Sequence, residues 1–234
     1  MSLWHAHRHN ALWQYGKQEK CERVPLHLAS PGHIDAALDR STRYLSVRRI
    51  FDIVFVLATA PASLLLIGMA AAAVAAKMGR PVFFAQERVG YRGQTFRALK
   101  LRTMRASDDA PRATSLNDDR ITPLGAFLRR SHLDELPQLW NVLVGQMSLI
   151  GPRPEWTPLA RQYECAFPEY KLRYNAPPGL TGLAQVNQGY VSTVEDARLK
   201  VEYDLYYIMN MSSALDIKII LLTSRALFKS SLSR

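Results

Sequence analysis

One long apolar stretch constrains the fold of this chain more than any other feature. Residues 50–76 hold a single charged side chain, Asp52, close to their start. A helix of about 20 apolar residues is long enough to cross the hydrocarbon core of a bilayer. A chain with such a stretch must either place it in a membrane or bury it inside a protein core. The sequence predicts membrane association, and a buried soluble helix is the alternative.

The flanks and the middle of this stretch argue against a simple transmembrane span. Arginines precede it, and Lys77 and Arg80 follow it. Because basic flanks favour the cytoplasmic side, both ends are predicted to face the cytoplasm. Pro61 lies near the middle, where it removes a backbone hydrogen bond and bends a helix. The pattern predicts a re-entrant membrane helix that is broken at Pro61; a straight span remains the alternative.

The chain is predicted to have three parts. Residues 1–44 have no sustained apolar period and form a variable N-terminal extension, residues 45–78 form the re-entrant membrane helix, and residues 79–234 form a catalytic domain. The two cysteines, Cys21 and Cys165, are far apart in the sequence. They suit a reducing compartment such as the cytoplasm better than a disulfide-stabilised fold.

The third part has the patterns of a small α/β domain rich in helix. Strands are predicted at 81–84, 95–102 and 147–150, helices at 122–130, 155–174, 193–209 and 214–228, and a tight turn at 177–182. A polar loop over 105–120 carries acidic pairs, which are interpreted as solvated charge with a metal site as the alternative. The C-terminal helices are predicted to be amphipathic and to lie at the membrane interface; packing on the core is the alternative.

The net charge predicts an anionic partner. A formal charge of +10 is typical of proteins that bind nucleic acid, acidic membrane surfaces or phosphorylated substrates. The sequence has no helix-turn-helix, RNA-recognition or zinc-finger pattern, so no nucleic-acid partner is expected. Membrane lipid and a phosphorylated substrate remain as the predicted partners.

Two adjacent carboxylates, Asp134 and Glu135, open the apolar segment that follows the basic helix at 122–130. Pro137 is tolerated in a first helical turn, so an α-helix is predicted to begin at or just before Asp134. The positive end of a helix favours ionised carboxylates, which could then act as a nucleophile or as metal ligands. An ordinary helix cap is the alternative. The spacing predicts one inward apolar face, formed by Leu133, Leu136, Trp140, Leu143 and Val144.

Two further stretches hold basic side chains in defined positions. Alternation along the strand at 95–102 places Lys100 and Arg102 on one face. Arg153 lies between two prolines, which restrict its backbone. Because the planar guanidinium pairs bidentately with phosphate, a restricted arginine suits a diphosphate site.

Five motifs occur in a fixed order between Val47 and Phe228. They are RRIFDIVFVLATAP, VFFAQERVG, FRALKLRTM, RITPLGAFLRRSHLDELPQLWNVLVGQMSLIGPRP and PPGLTGLAQVNQGY. This ordered set closely resembles the bacterial sugar transferase family, the monotopic phosphoglycosyl transferases that initiate exopolysaccharide and other surface glycans. The resemblance implies a small α/β domain on the cytoplasmic face of the bacterial inner membrane.

The resemblance also implies a reaction and a set of site residues. A sugar-1-phosphate would pass from a UDP-sugar to polyprenyl (undecaprenyl) phosphate, with release of UMP. Asp134 would be the nucleophile that forms an aspartyl phosphosugar, and Glu135 would bind Mg²⁺. The family's basic residues around the phosphates correspond to Lys100, Arg102 and Arg153 here.

Three positions depart from the family pattern. Pro177 and Val144 stand where many members have basic residues, and Ala60 stands where a serine commonly precedes the helix-breaking proline. These departures leave a second hypothesis open, a membrane-anchored scaffold that keeps the fold without catalysis. Homo-oligomerisation is also left open.

Overall fold

The computed structural model describes residues 25–26, 31–105, 118–188 and 193–232. Most of the predicted N-terminal extension and most of the predicted polar loop at 105–120 lie outside this part of the chain. The helices are α1 Pro31–Met78, α2 Pro123–Arg130, α3 Gln138–Leu143, α4 Thr157–Ala166, α5 Leu183–Asn187, α6 Val194–Met209 and α7 Ser213–Leu232. The strands are β1 Phe83–Val89, β2 Thr95–Leu101, β3 Ser148–Ile150 and β4 Gly179–Thr181. This order confirms the helix-rich α/β class.

The apolar stretch lies within one long helix, α1, which has 48 residues and continues through Pro61. Near the proline, the Thr59 hydroxyl donates a hydrogen bond of 2.8 Å to the carbonyl of Phe55. Such hydroxyl bonds to the preceding turn accompany helix bending. Among the described residues, only the part from Arg43 to Met78 is long and apolar enough to cross a membrane.

The helix begins earlier than the sequence predicted, because its first turns have a core face of their own. Ile34 and Ala37 are almost fully buried against the C-terminal part of the chain. The predicted boundary between residues 44 and 45 therefore lies inside α1.

Both halves of α1 pack on the domain, while its middle does not. In the first half, the Asp52 carboxylate accepts a hydrogen bond of 2.7 Å from Ser148 at the start of β3. Val56 is buried against β2 and α3, and Val74 is buried against the end of β2 and α2. The exposed apolar side chains between these contacts are Leu57, Leu64, Leu65, Leu66 and Met69.

The strands form two small sheets. β1 and β2 form an antiparallel hairpin that pairs Phe83 with Leu101 at one end and Val89 with Thr95 at the other. β3 and β4 are parallel. Gly179 is required where the two strands meet, since a Cβ there would lie 2.1 Å from the backbone nitrogen of Gly151.

The segment after α2 differs from its prediction. Leu133–Glu135 form a 3-10 turn, and α3 begins only at Gln138, with Pro137 as its N-cap. The predicted apolar face is wrong, because Trp140 is 58% exposed and Val144 is 46% exposed. The side chains that face the core are Gln138, Leu139, Asn141 and Val142.

Hydrogen bonds to β2 explain this rotation. The Asn141 amide accepts a bond of 3.1 Å from the backbone N–H of Leu99 and donates one of 2.8 Å to the carbonyl of Arg97. A buried amide must keep such partners. The 3-10 turn also changes the phase of the helix, so the spacing rule does not apply across it.

The two C-terminal helices differ: one packs on the core, and the other exposes an apolar face. α6 packs on the core, with Val201, Leu205 and Ile208 fully buried, so its interfacial placement is wrong. α7 buries Ile219 but exposes apolar side chains on its other side, namely Ile217, Ile220, Leu221 and Leu227.

Candidate active site

Three of the predicted site residues meet beside β2. The Lys100 ammonium lies 2.6 Å from Oε1 of Glu135, and the Arg153 guanidinium pairs with both oxygens of the same carboxylate. Their side chains are between 14% and 24% exposed. We call Lys100, Glu135 and Arg153 the open cluster, because all three side chains are partly exposed to solvent.

Asp134 lies next to the open cluster and is more deeply buried, at 5% exposure. The chain reaches it through His132, whose left-handed backbone (φ 56°) ends α2 and starts the 3-10 turn. Lys100 and Arg129 supply positive charges that lower the pKa of its carboxyl. Asp134 is thus a buried carboxylate with positive charges nearby.

The two adjacent carboxyl groups titrate differently. Burial raises the pKa of Asp134, and the charge of Lys100 only partly offsets this. Burial also opposes ionisation of Glu135, but the charges of Arg153 and Lys100 outweigh it and hold the pKa of that carboxyl well below its usual value. Neighbouring carboxyls with separated pKa values are typical of sites where each has its own role.

A second group of buried charges lies behind Arg153. The Arg173 guanidinium pairs with Asp204 at 2.7 Å and donates a hydrogen bond of 2.7 Å to the backbone carbonyl of Arg153. Lys200 pairs with Glu155. We call Arg173, Asp204, Lys200 and Glu155 the closed cluster.

The closed cluster fixes the backbone that carries Arg153. Arg88 on β1 adds a hydrogen bond to the carbonyl of Pro154, and Pro152 accepts one of 3.0 Å from the N–H of Gly179. Sequence reasoning missed Arg88, Arg129 and Arg173 as parts of this region. The position of Arg88 in the motif VFFAQERVG could have indicated that it belongs to the site. Arg173 lies in a segment predicted to be helical, and the sequence does not indicate that its side chain faces the interior.

The structure does not bring Arg102 into the open cluster. β2 ends at Leu101, and the Arg102 guanidinium donates hydrogen bonds to the carbonyls of Met78, Gly79 and Arg80. It therefore satisfies carbonyls at the C-terminal end of α1, which have no partner within the helix. Pro61 is likewise remote, in the exposed middle of α1.

The donor set fits a metal only when a substrate completes it. In the part of the chain that the structure describes, no group of three or more His, Cys, Asp or Glu residues could hold a metal ion. Mg²⁺ is commonly bound by one or two carboxylates together with waters and substrate phosphates. Glu135 and Asp134 supply donors of this kind, and Glu135 is held ionised.

Three relatives show what the chain is similar to. It is 45% identical over 181 residues to the UDP-glucose:undecaprenyl-phosphate glucose-1-phosphate transferase of Caulobacter vibrioides, which covers 75% of this chain and 67% of the relative. It is 46% identical over 147 residues to a protein of the same name from Klebsiella pneumoniae, covering 61% of this chain and 32% of that relative. It is 38% identical over 186 residues to the UDP-N-acetylgalactosamine-undecaprenyl-phosphate N-acetylgalactosaminephosphotransferase of Aeromonas hydrophila, covering 79% and 44%.

The chain thus matches less than half the length of the last two relatives. The match to a whole family is broader: the model of the bacterial sugar transferase family covers residues 43–230, from the start of the apolar part of α1 to the end of α7. This chain belongs to the bacterial sugar transferase family.

Proposed function

We propose that this chain is a phosphoglycosyl transferase that moves a sugar-1-phosphate from a UDP-sugar to undecaprenyl phosphate and so initiates a surface glycan such as an exopolysaccharide. The names of the relatives supply the substrate classes. The observation that carries the proposal is the placement of Asp134, a buried carboxylate beside a cluster in which two cations share one carboxylate.

The reaction needs two displacements at one phosphorus atom. The Asp134 carboxylate attacks the phosphorus that bears the sugar, the bond from that phosphorus to the bridging oxygen breaks, and UMP leaves with the electron pair. A phosphate oxygen of undecaprenyl phosphate then attacks the same phosphorus, and the bond to the Asp134 oxygen breaks. The product is undecaprenyl diphosphate sugar, and the carboxylate is regenerated. A carboxylate can serve as such a phosphoryl acceptor.

The open cluster supplies positioned charge, which is the main requirement of phosphoryl transfer. When a diphosphate binds, Lys100 and Arg153 can exchange Glu135 for phosphate oxygens, and the planar Arg153 fork can bind two of them. Mg²⁺, held by Glu135 with Asp134 beside it, would neutralise further diphosphate charge. The half-buried Arg129 helps to lower the pKa of Asp134, which burial raises.

We further propose that α1 enters and leaves the bilayer from the cytoplasmic face. Val56 and Val74 would lie about 27 Å apart along a straight helix. Their partners on β2, Phe96 and Leu101, are separated by only about 17 Å of strand. A bend in α1 near Pro61 reconciles the two spacings and leaves the apolar middle of the helix for lipid.

The first test uses purified protein with Mg²⁺, a panel of UDP-sugars and no lipid acceptor. We expect a stoichiometric burst of UMP and a mass increase of one phosphosugar on Asp134, which polyprenyl phosphate then discharges. The sugar that reacts names the donor. If no UMP is released even with lipid present, while UDP-sugar still binds, the chain is a scaffold and the proposal is wrong.

A second test addresses topology. Accessibility tags at residue 1 and at residue 234 should both report the cytoplasm. Opposite locations of the two tags would mean that α1 spans the bilayer.

A further inference from the structure

A large cavity lies outside the candidate active site, where the end of α1 meets the end of β2 and the start of α2. Its volume is about 770 Å³, which is within the range of small-molecule sites. None of Asp134, Glu135, Lys100 and Arg153 lines it. The lining residues are Lys77, Met78, Arg80, Arg102, Arg105, Thr122, Pro123 and Leu124.

The cavity carries positive charge that the described part of the chain does not balance. Four of its lining residues are cationic, and none is acidic. In the described ranges, none of the four forms an ion pair; Arg102 bonds only to backbone carbonyls, and its Nε is buried without a partner. Lys77, Arg80 and Arg105 are exposed to solvent around the half-buried Arg102, and their combined positive charge attracts a negatively charged ligand.

The lining also restricts which anion fits. The lining has no aromatic side chain on which the base of a nucleotide could stack. Met78, Pro123 and Leu124 lie among the cations, so the ligand must combine an anionic head with apolar atoms. The cavity also lies where the apolar helix α1 ends, at the level of lipid head groups if α1 is inserted.

We propose that this cavity binds the phosphate head group of an anionic bilayer phospholipid. The assignment rests on the membrane placement of α1 proposed above and not on the transfer chemistry. The phosphate of the bound lipid offsets part of the positive charge of Lys77, Arg80, Arg102 and Arg105 and holds the end of α1 against α2, the helix that leads to Asp134. Because the catalytic residues do not line the cavity, this lipid is a ligand and not a substrate.

The test is lipid binding by the full chain in mild detergent, measured by native mass spectrometry with phosphatidylglycerol and with phosphatidylcholine. We expect the protein to bind one phosphatidylglycerol about tenfold or more tightly than phosphatidylcholine. The triple variant Lys77→Gln/Arg80→Gln/Arg105→Gln should lose this preference. A control with the same change of charge, made at the exposed residues Arg92→Gln/Lys171→Gln/Arg198→Gln, should keep it.

The outcomes separate this proposal from its rivals and from the proposed function. The triple variant should still give the burst of UMP, since it changes no residue of the open cluster. Unchanged affinity for phosphatidylglycerol in the triple variant overturns the proposal. A variant that keeps this affinity but loses binding of polyprenyl phosphate assigns the cavity to the acceptor instead. If the triple variant does not fold, Arg105→Gln alone should weaken binding of phosphatidylglycerol about fivefold.

Discussion

The open cluster and the Arg173–Asp204 pair of the closed cluster are built from similar residue types but differ in access to solvent; the other closed pair, Lys200 and Glu155, is 9% and 18% exposed. In the closed cluster, Arg173 and Asp204 are each 2% exposed, and every partner of Arg173 belongs to the protein. In the open cluster, Lys100 and Arg153 share one carboxylate and remain 17% and 24% exposed. Solvent therefore hardly reaches the Arg173–Asp204 pair, whereas the open cluster is exposed enough for the proposed exchange of Glu135 for a phosphate.

This difference indicates how the chain divides stability from function. A buried charge that loses its partner costs several kcal/mol, so a fully paired buried group acts as a fixed support. The closed cluster uses this rigidity to hold the backbone of Arg153. The open cluster keeps its cations ready for a ligand, and Asp134 beside it remains a buried carboxylate whose ionisation is unfavourable.

The largest expected effect comes from Asp134→Asn. We expect turnover to fall by about 10⁴-fold or more, since the amide cannot form the phosphosugar ester. The melting temperature should rise at neutral pH: burial raises the pKa of Asp134, so its ionised form destabilises the fold above that pKa, and the amide removes this cost. UMP release and thermal unfolding measure the two effects. Retained turnover would remove Asp134 from the mechanism.

The next effect concerns the closed cluster. Arg173→Met leaves Asp204 buried without its cation, and we expect a loss of about 3–5 kcal/mol in the free energy of unfolding. Arg161→Met provides the control. The Arg161 side chain pairs with Glu164 but is 56% exposed, so its loss should change the free energy of unfolding little. Denaturant unfolding measures both variants. Equal stabilities would mean that the closed cluster is not a support.

Sequence patterns predicted secondary structure best in segments that follow a single periodicity. The strand predicted at 95–102 matches β2 at Thr95–Leu101, whereas the strand predicted at 81–84 overlaps only the start of β1 at Phe83–Val89. The roles of Asp134, Glu135 and Arg153 stay predictions from the family resemblance. The face of α3 was predicted wrongly, because a 3-10 turn precedes it and the side chain of Asn141 bonds to β2. A change of helix type shifts every later residue, and a hydrogen bond to another element leaves no periodic signal.

The closed cluster was beyond sequence reasoning for a related reason. Arg173 and Lys200 lie in segments whose charged residues are usually solvated, and only the packing of α6 against the 3-10 helix at Pro168–Asn175 buries them. Alternation likewise placed Lys100 and Arg102 on one face, but the strand ends between them. Strand ends are among the least predictable features of a sequence.

A smaller effect is expected for Arg102, and it tests whether Arg102 lies outside the open cluster. Arg102→Gln removes donors from the last carbonyls of α1, and we expect stability to fall by about 1–2 kcal/mol. Turnover per folded molecule should change less than about threefold, whereas Lys100→Gln should lower it much more. Assays normalised to the folded fraction compare the two variants. A loss of turnover in Arg102→Gln as large as that in Lys100→Gln would return Arg102 to the open cluster.

The smallest effect is a shift in pH dependence. Because burial raises the pKa of Asp134, kcat/KM should fall as the pH drops through a value above the usual aspartate pKa. Lys100→Gln should move this acid limb to higher pH, since the Lys100 charge lowers the Asp134 pKa.

Stability should not follow the acid limb. The pKa of Glu135 is depressed in the folded state, so the stability from its ion pairs is present above the pKa of an unfolded glutamate and is lost only as the pH falls through the lower folded value. The melting temperature should therefore rise slightly in the range where kcat/KM declines, because protonation of Asp134 removes the cost of its buried charge while Glu135 stays ionised. If both decline together, Glu135 titrates there, and the two carboxyls do not have the separate roles that the open cluster assigns to them.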